Sequence, residues 1–263
     1  MRFLLTNDDG WHSKGIQVLA AALKEIADIS IVAPDRERSA TGHSITVFKP
    51  LMVAKIDRPD LAPEVYTVSG TPVDCVKMAV STLLKEKPDM VISGINNGPN
   101  LGTDVLYSGT VSAAVEGVIM GVPSLAVSLA SYKPDEDYEF SARFTRAICR
   151  QLINDGIQKD ILLNVNIPAI AREQIKALRI TRLGKRNYEN TFEERKDPRG
   201  RHYFWLGGDV VQEDQEPDSD VTAVAEGYIS VTPIHFDLTD YRIINEFRNR
   251  YHDFINHVPN TDI

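Results

Sequence analysis

Apolar positions in the first half of the chain follow two periods in turn. Phe3 to Thr6 is a short continuous run that predicts a buried strand. The polar turn Asn7-Asp8-Asp9-Gly10 follows, and then Ile16, Leu19, Ala20, Leu23 and Ile26 recur at the spacing of one helix face. Ile29 to Ala33 repeats the strand pattern and stops at Pro34. Beyond the loop Asp35 to His43, the runs Ser44 to Phe48 and Leu51 to Ile56 are β-rich, and Val65 to Val68 adds another strand. Thr71-Pro72 is a helix-start signal, a capping hydroxyl followed by proline, ahead of the stripe Val73, Val76, Lys77, Val80 and Leu84. Met90 to Ser93 predicts a strand, Thr110 to Met120 a helix, Ser124 to Ser128 a strand, Phe140 to Ile153 a helix and Leu162 to Ile167 a strand.

Strands that alternate with helices imply a mostly parallel sheet covered on both faces, so residues 1–167 read as a Rossmann-like three-layer α/β core. Residues 168–263 change character. Leu178 to Leu183 and His202 to Leu206 are expected to form a hairpin across the charged insert Glu189 to Arg201, which is too polar for a core and should project from the body. Asp209 to Asp220 carries six acidic residues and no basic one, and lacks the glycine and regular alternation of a calcium loop, so a solvated loop is expected. Val221 to Glu226 predicts a short helix, Ile229 to Val231 a strand and Tyr241 to Tyr251 a final helix. No internal repeat is present.

Composition narrows the class. The 263 residues, 43% hydrophobic and 25% charged, suit one large domain or one domain with an appendage. Lys and Arg number 29 against 37 Asp and Glu, a net charge of −8, which disfavours an extended face for duplex nucleic acid but not a local nest for a small anion. Cys75 and Cys149 are too few for a disulfide scaffold and read as buried thiols. The opening apolar run turns polar at Asn7, too soon for a signal peptide or a membrane span, so a cytoplasmic protein without membrane contact is expected.

In an open α/β sheet, ligands collect beyond the carboxyl ends of the strands. Three polar loops fall there. In the first, Asp8 and Asp9 can face one ion only where the chain turns, which Gly10 permits; the alternative is an Asp that caps the next helix. The second, Asp35 to Ser44, mixes hydroxyls and basic groups and either completes a phosphate or metal site or is an ordinary surface loop, with His43 as a hydrogen-bonded structural residue. The third runs from Ser93 through Asn96, Asn97, Gly98, Asn100, Gly102 and Asp104 to Ser108-Gly109-Thr110, where hydroxyls and free N–H groups meet a helix N-terminus, a cradle for an anion or a series of plain turns.

No Gly-x-Gly-x-x-Gly fingerprint, Walker loop or Gly-x-Ser-x-Gly elbow occurs, which weighs against dinucleotide oxidoreductases, P-loop ATPases and α/β serine hydrolases. Carboxylates, a hydroxyl and asparagine amides are hard oxygen donors, suited to Mg²⁺ or Mn²⁺ rather than zinc. An anion cradle beside a hard cation points to phosphate-ester chemistry.

The blocks Leu5 to Gly10, Ala33-Pro34-Asp35 with Ser39, Gly42 to Thr46, Ser69 to Val76, Ser93 to Asn96 with Gly98, Asn100, Gly102 and Asp104, Tyr107 to Val111, and Ala225 to Pro233 resemble, in order, the SurE survival-protein family of metal-dependent nucleoside monophosphate phosphatases. The resemblance implies one divalent cation per subunit, Mg²⁺ or Mn²⁺, held by Asp8, Asp9, Ser39 and Asn96. It implies a substrate phosphate held by Ser108, Gly109 and Thr110 with Asn100. Asp8 and Asp9 are expected to be the catalytic carboxylates, with a bound water or an Asp attacking phosphorus and the role of Asp9 as ligand, base or nucleophile left open by the sequence. The resemblance further implies 5′- and 3′-nucleotide and short polyphosphate cleavage, and dimers or tetramers built through a C-terminal hairpin, for which Lys185 to Arg201 would be the arm. Ser13 stands where the family often has alanine, and Asp218-Ser219-Asp220 replaces its more usual Thr-Asp element, which puts a substrate-side role of Asp220 in question. Two rivals use the same site: a nucleotide-binding module without turnover, and an aspartyl phosphotransferase. Two carboxylates beside a phosphate argue against the first, because they repel it unless a cation intervenes.

Overall fold

The computed structural model describes residues 1–133, 136–189, 191–207 and 210–252. Asn190, Asp209 and residues 253–263, which belong to the insert, the acidic stretch and the C-terminal part of the sequence reading, lie outside the described residues.

The chain opens with β1 (Arg2–Thr6), α1 (Lys14–Leu23), β2 (Asp28–Pro34), β3 (Val53–Lys55) and β4 (Glu64–Val68). Next come α2 (Pro72–Met78), which widens into a last turn over Ala79–Leu83, and β5 (Met90–Asn97), then α3 (Gly109–Ile119), β6 (Ser124–Ala130), α4 (Glu139–Asp155) and β7 (Leu162–Pro168). The start of α2 is a reciprocal cap. Thr71 Oγ1 accepts from Asp74 N at 3.1 Å, and the Asp74 carboxylate accepts from Thr71 N at 2.9 Å.

These strands, with two from the C-terminal part, form one nine-stranded sheet in the order β3-β4-β2-β1-β5-β6-β7-β13-β8, where β8 is Leu178–Ile180. Neighbours run parallel except β3 beside β4 and β13 (Ile229–Pro233) beside β7. Both faces are covered. Phe3 and Leu5 of β1 pack with Ile16, Leu19 and Leu23 of α1 and with Ala142 and Cys149 of α4, while Leu4 packs the other way with Cys75 and Val76 of α2 and Ala113 of α3. The period of two along β1 thus divides the core into two apolar layers, giving the three-layer α/β architecture. Both cysteines are buried free thiols, as expected.

Three expectations need correction. Ser44 to Phe48 is not a strand. β3 already occupies the sheet edge beside β4, and the segment is held instead by Asp74, which accepts from Thr46 N at 3.0 Å and from Thr46 Oγ1 at 2.6 Å. Leu178 to Leu183 does not pair with His202 to Leu206. β8 joins the main sheet beside β13, and the hairpin is made by β10 (Thr191–Lys196) with β11 (His202–Gly207), so its first strand lies inside the charged insert. Cross-strand pairing there sets Glu193 and Glu194 against Trp205 and Phe204. The hairpin stays outside the core, with Phe192, Phe204, Trp205 and Leu206 all exposed. At its base, β9 (Arg186–Tyr188) pairs antiparallel with β12 (Val210–Glu213).

The acidic stretch is likewise not all solvated loop. It includes β12, Asp214 and Asp218 bracket Arg182, and Asp220 is fully buried at the start of α5 (Asp220–Ala225). The last helix, α6 (Tyr241–Arg250), is exposed along its length. Among the described residues no helix is long and apolar enough to cross a membrane.

Candidate active site at the β1–β5 switch point

Successive strands step one way from β1 to β2 and β4, and the other way from β1 to β5, β6 and β7. The strand order therefore reverses between β1 and β5, which opens a crevice beyond their carboxyl ends. The three polar loops meet there.

After β1 the chain turns sharply. Asn7, fully buried, closes the turn by accepting from Gly10 N at 3.1 Å and donating to Gly10 O at 3.0 Å, with Gly10 at φ +94°. The Asn7 amide also donates to Ser13 Oγ at 2.7 Å, so the serine at this position has a structural use. The turn exposes neither carboxylate freely. Asp8 Oδ2 accepts from Thr110 N at 3.2 Å and Asp8 Oδ1 from the Thr110 hydroxyl, at the N-terminus of α3. Asp9 Oδ2 accepts from Asn97 N at 3.4 Å, at the end of β5. A Cβ on Gly109 would lie 2.9 Å from Asp8 Cβ, so only glycine lets the helix tip approach this close.

The second loop is stitched to the first by Arg38 N, which donates to Asp8 O at 2.7 Å, and to the third by Gly42 N, which donates to Tyr107 O at 3.0 Å. Ser108 caps α3 by accepting from Val111 N at 3.0 Å. With Thr110 N committed to Asp8, the Gly109 N–H is left without a protein acceptor among the described residues.

Burial, opposed by the Thr110 hydroxyl, pushes the Asp8 carboxyl up from its ordinary value. Burial and then the adjacent Asp8 charge push Asp9 up to about 7, and Glu37 raises both. Among the described residues no Lys or Arg forms an ion pair with either group. Asn97, whose N–H meets Asp9, has a buried Oδ1 without a donor, while its Nδ2 donates to Lys133 O at 3.3 Å. Two adjacent carboxylates, one buried and one half-buried, that resist ionisation and have no Lys or Arg partner among the described residues fit a small hard cation. No cage of three or more His, Cys, Asp and Glu side chains occurs among the described residues, so such an ion would rely on hydroxyl, amide or water oxygens for the rest of its shell.

Asp8, Gly109 and Thr110 are brought into direct contact or hydrogen-bond reach, and Asp9, next to Asp8 in the turn, is brought to Asn97 N. Ser39 lies on the second loop, where it is exposed and donates to Glu37 Oε1 at 2.7 Å, and Asn96 lies near the end of β5, where its Nδ2 donates to Gly98 O at 2.8 Å. Asn100 is buried and tied to the sheet. Its N donates to Asn166 Oδ1 at 2.8 Å and its side-chain amide to Ser128 Oγ at 2.8 Å. Asp220 accepts from Gly102 N and Gly184 N, both at 2.8 Å, and so pins the third loop from behind. Sequence reasoning named Asn97 only within the third loop and Glu37 and Arg38 only within the second, without foreseeing their contacts, and passed over the buried Glu116. A single carboxylate inside the otherwise small and apolar run Thr110 to Gly117 was the available signal for Glu116.

The survival protein SurE family model matches residues 3–190. A protein named 5′-nucleotidase SurE from Syntrophomonas wolfei is 59% identical over 97% of this chain and 96% of its own length, and one of the same name from Heliobacterium modesticaldum is 54% identical over 94% and 90%. The crystal structure of the SurE protein from Aquifex aeolicus superimposes with a TM-score of 0.81 at 44% identity, covering 95% of this chain and 99% of that one. With the fold, the match across both crevice strands and the near full-length identity in agreement, the chain belongs to the SurE family.

Proposed function

We propose that this protein is a divalent-metal-dependent phosphatase that hydrolyses nucleoside 5′-monophosphates to nucleoside and phosphate, and that 3′-monophosphates and short polyphosphate are further substrates. The observation that carries the reading is the adjacent pair Asp8, buried against the tip of α3, and Asp9, half-buried at the end of β5, with no Lys or Arg ion pair to either among the described residues. The relatives named 5′-nucleotidase support the substrate class. Asp8, Asp9, Ser39 and Asn96 would hold Mg²⁺ or Mn²⁺. When bound, such an ion supplies charge neutralisation at the phosphoryl oxygens and lowers the pKa of a bound water.

The chain's own groups supply the rest. Thr110 orients Asp8 through two donors, so that its carboxylate keeps one direction while Asp9 is held from Asn97. The Gly109 N–H and the Ser108 hydroxyl, at the positive end of α3, stabilise negative charge growing on the phosphate. Asn100 braces the loop that presents them, through β6 and β7. Without a cation Asp9 is pushed up to about 7, so binding of the ion would displace the proton it otherwise keeps near neutral pH. The enzyme acts in the cytoplasm as a dimer or tetramer joined through the exposed hairpin β10–β11.

Release of inorganic phosphate from AMP and GMP tests the reading, with 3′-AMP and tripolyphosphate alongside. Activity is expected to vanish in chelator and return with Mn²⁺ or Mg²⁺. Nucleotide binding without phosphate release, or turnover indifferent to chelator, would overturn it, and a phosphorylated alcohol in place of free phosphate would point to transfer.

A further inference from the structure

The second loop, which carries Ser39, is fastened at its near end by Arg38, through Asp8 O and through Ser69 O at 2.8 Å. The stretch between these bonds and the far end is not relaxed. Ala40 sits at φ +55°, the one non-glycine residue in the left-handed region among the described residues, while Gly42 takes φ +53° at no steric cost. The far end is fastened by Gly42 N to Tyr107 O and by His43, whose Nε2 lies 3.0 Å from Glu116 Oε2. Glu116 is only 2% exposed and sits two helical turns beyond Ser108 on α3. Its other oxygen accepts from Lys77 Nζ of α2 at 2.7 Å. Although burial opposes ionisation, hydrogen bonds from His43 and Lys77 hold the Glu116 carboxyl below the usual carboxylate range. One helix therefore presents the anion-binding tip at its start and grips the Ser39 loop in its middle.

We infer that Glu116 is a positioning residue for the cation site, acting through His43 to hold the Ser39 loop at a fixed height over Asp8 and Asp9. The inference rests on the metal-dependent reading above. Lys77 supplies the internal control. It bonds the same carboxylate but leads only to α2, so a packing role for Glu116 would be shared by Lys77, whereas a positioning role would be shared by His43.

Calorimetric titration of Mn²⁺ into the chelator-stripped full chain measures this without turnover. Glu116→Gln keeps the shape of the side chain and His43→Ala removes the link; both are expected to weaken Mn²⁺ binding about tenfold, and the double variant no further. Lys77→Met is expected to bind Mn²⁺ as the unaltered protein does, even where it melts earlier. The kinetic counterpart is a higher Mn²⁺ requirement in Glu116→Gln and His43→Ala, with kcat approached again at saturating metal. Unchanged Mn²⁺ affinity in His43→Ala, or an equal loss in Lys77→Met, would overturn the inference. Should Glu116→Gln not fold, His43→Ala against Lys77→Met decides alone. Failure of the unaltered protein to bind Mn²⁺ would strike the metal reading itself, a separate result.

Discussion

Replacing Asp9 by Asn should make the metal-free protein more stable while removing its activity. Asp9 has an ordinary carboxyl value of 3.8 in the unfolded chain and about 7 in the folded one, raised by burial and by Asp8. A folded value above the unfolded one means that the native state holds the proton longer. The resulting cost is absent below pH 4, grows as pH rises, and is complete above pH 7. Three pH units at about 1.4 kcal/mol each set an upper figure of about 4 kcal/mol. Partial water access reduces it, to about 2–4 kcal/mol. At roughly 2–4 °C per kcal/mol for a chain of this size, Asp9→Asn should melt about 4–16 °C higher at pH 8 in chelator. The Asn side chain can still accept from Asn97 N, so little is lost in exchange. Thermal melts of both proteins from pH 4 to 8 would show the gap open over that range. Excess Mn²⁺ should close or reverse it, because only the unaltered protein gains from the ion, and phosphate release should fall about 100-fold or more. Equal melting points at pH 8 in chelator, or the same Mn²⁺-induced shift in both proteins, would refute the reasoning.

Three further outcomes follow from the contacts. Gly109→Ala places a methyl 2.9 Å from Asp8 Cβ and should cost about 1–3 kcal/mol and most of the activity, read by denaturant melts and phosphate release. Thr110→Val removes the hydroxyl that orients Asp8 and should raise the Mn²⁺ concentration for half-maximal activity several-fold with little change in melting temperature. Asp220→Ala strands the N–H groups of Gly102 and Gly184 in a buried setting, for about 2–4 kcal/mol of stability and a higher KM, since the third loop loses its rear anchor; a KM equal to that of the unaltered enzyme would show that the loop stands without it.

Much of the core was legible because its elements are locally encoded. The β1–turn–α1 unit, the reciprocal cap of α2 and the polar start of α3 each need only a few neighbouring residues, and each lies where periodicity and capping place it. Asp8 and Asp9 were legible for the same reason, as a polar turn directly after a strand. The failures are of another kind. Ser44 to Phe48 has strand composition, but whether it pairs depends on an edge already taken by β3. The first hairpin strand, Thr191–Lys196, reads in the sequence only as part of a projecting charged insert, because charge excludes a segment from the core without showing whether it joins an exposed ladder. Glycines that suggested room for a ligand mostly admit the protein itself. Gly102 approaches Gly184 O and Gly109 approaches Asp8.

Sequence alone determined the two-layer burial of β1, the turn that displays two carboxylates, the helix tip at Ser108 and the kinship with a family. Tertiary structure decided that β1 lies beside β5, which brings residues 8 and 110 within hydrogen-bond distance, that Asp220 serves as a brace, and that Glu116 reaches His43. The division has a physical cause. Backbone propensity and amphipathic period act over a turn or two of chain, whereas strand order and the pairing of buried charges are chosen by the whole molecule's need to satisfy polar groups that water no longer reaches.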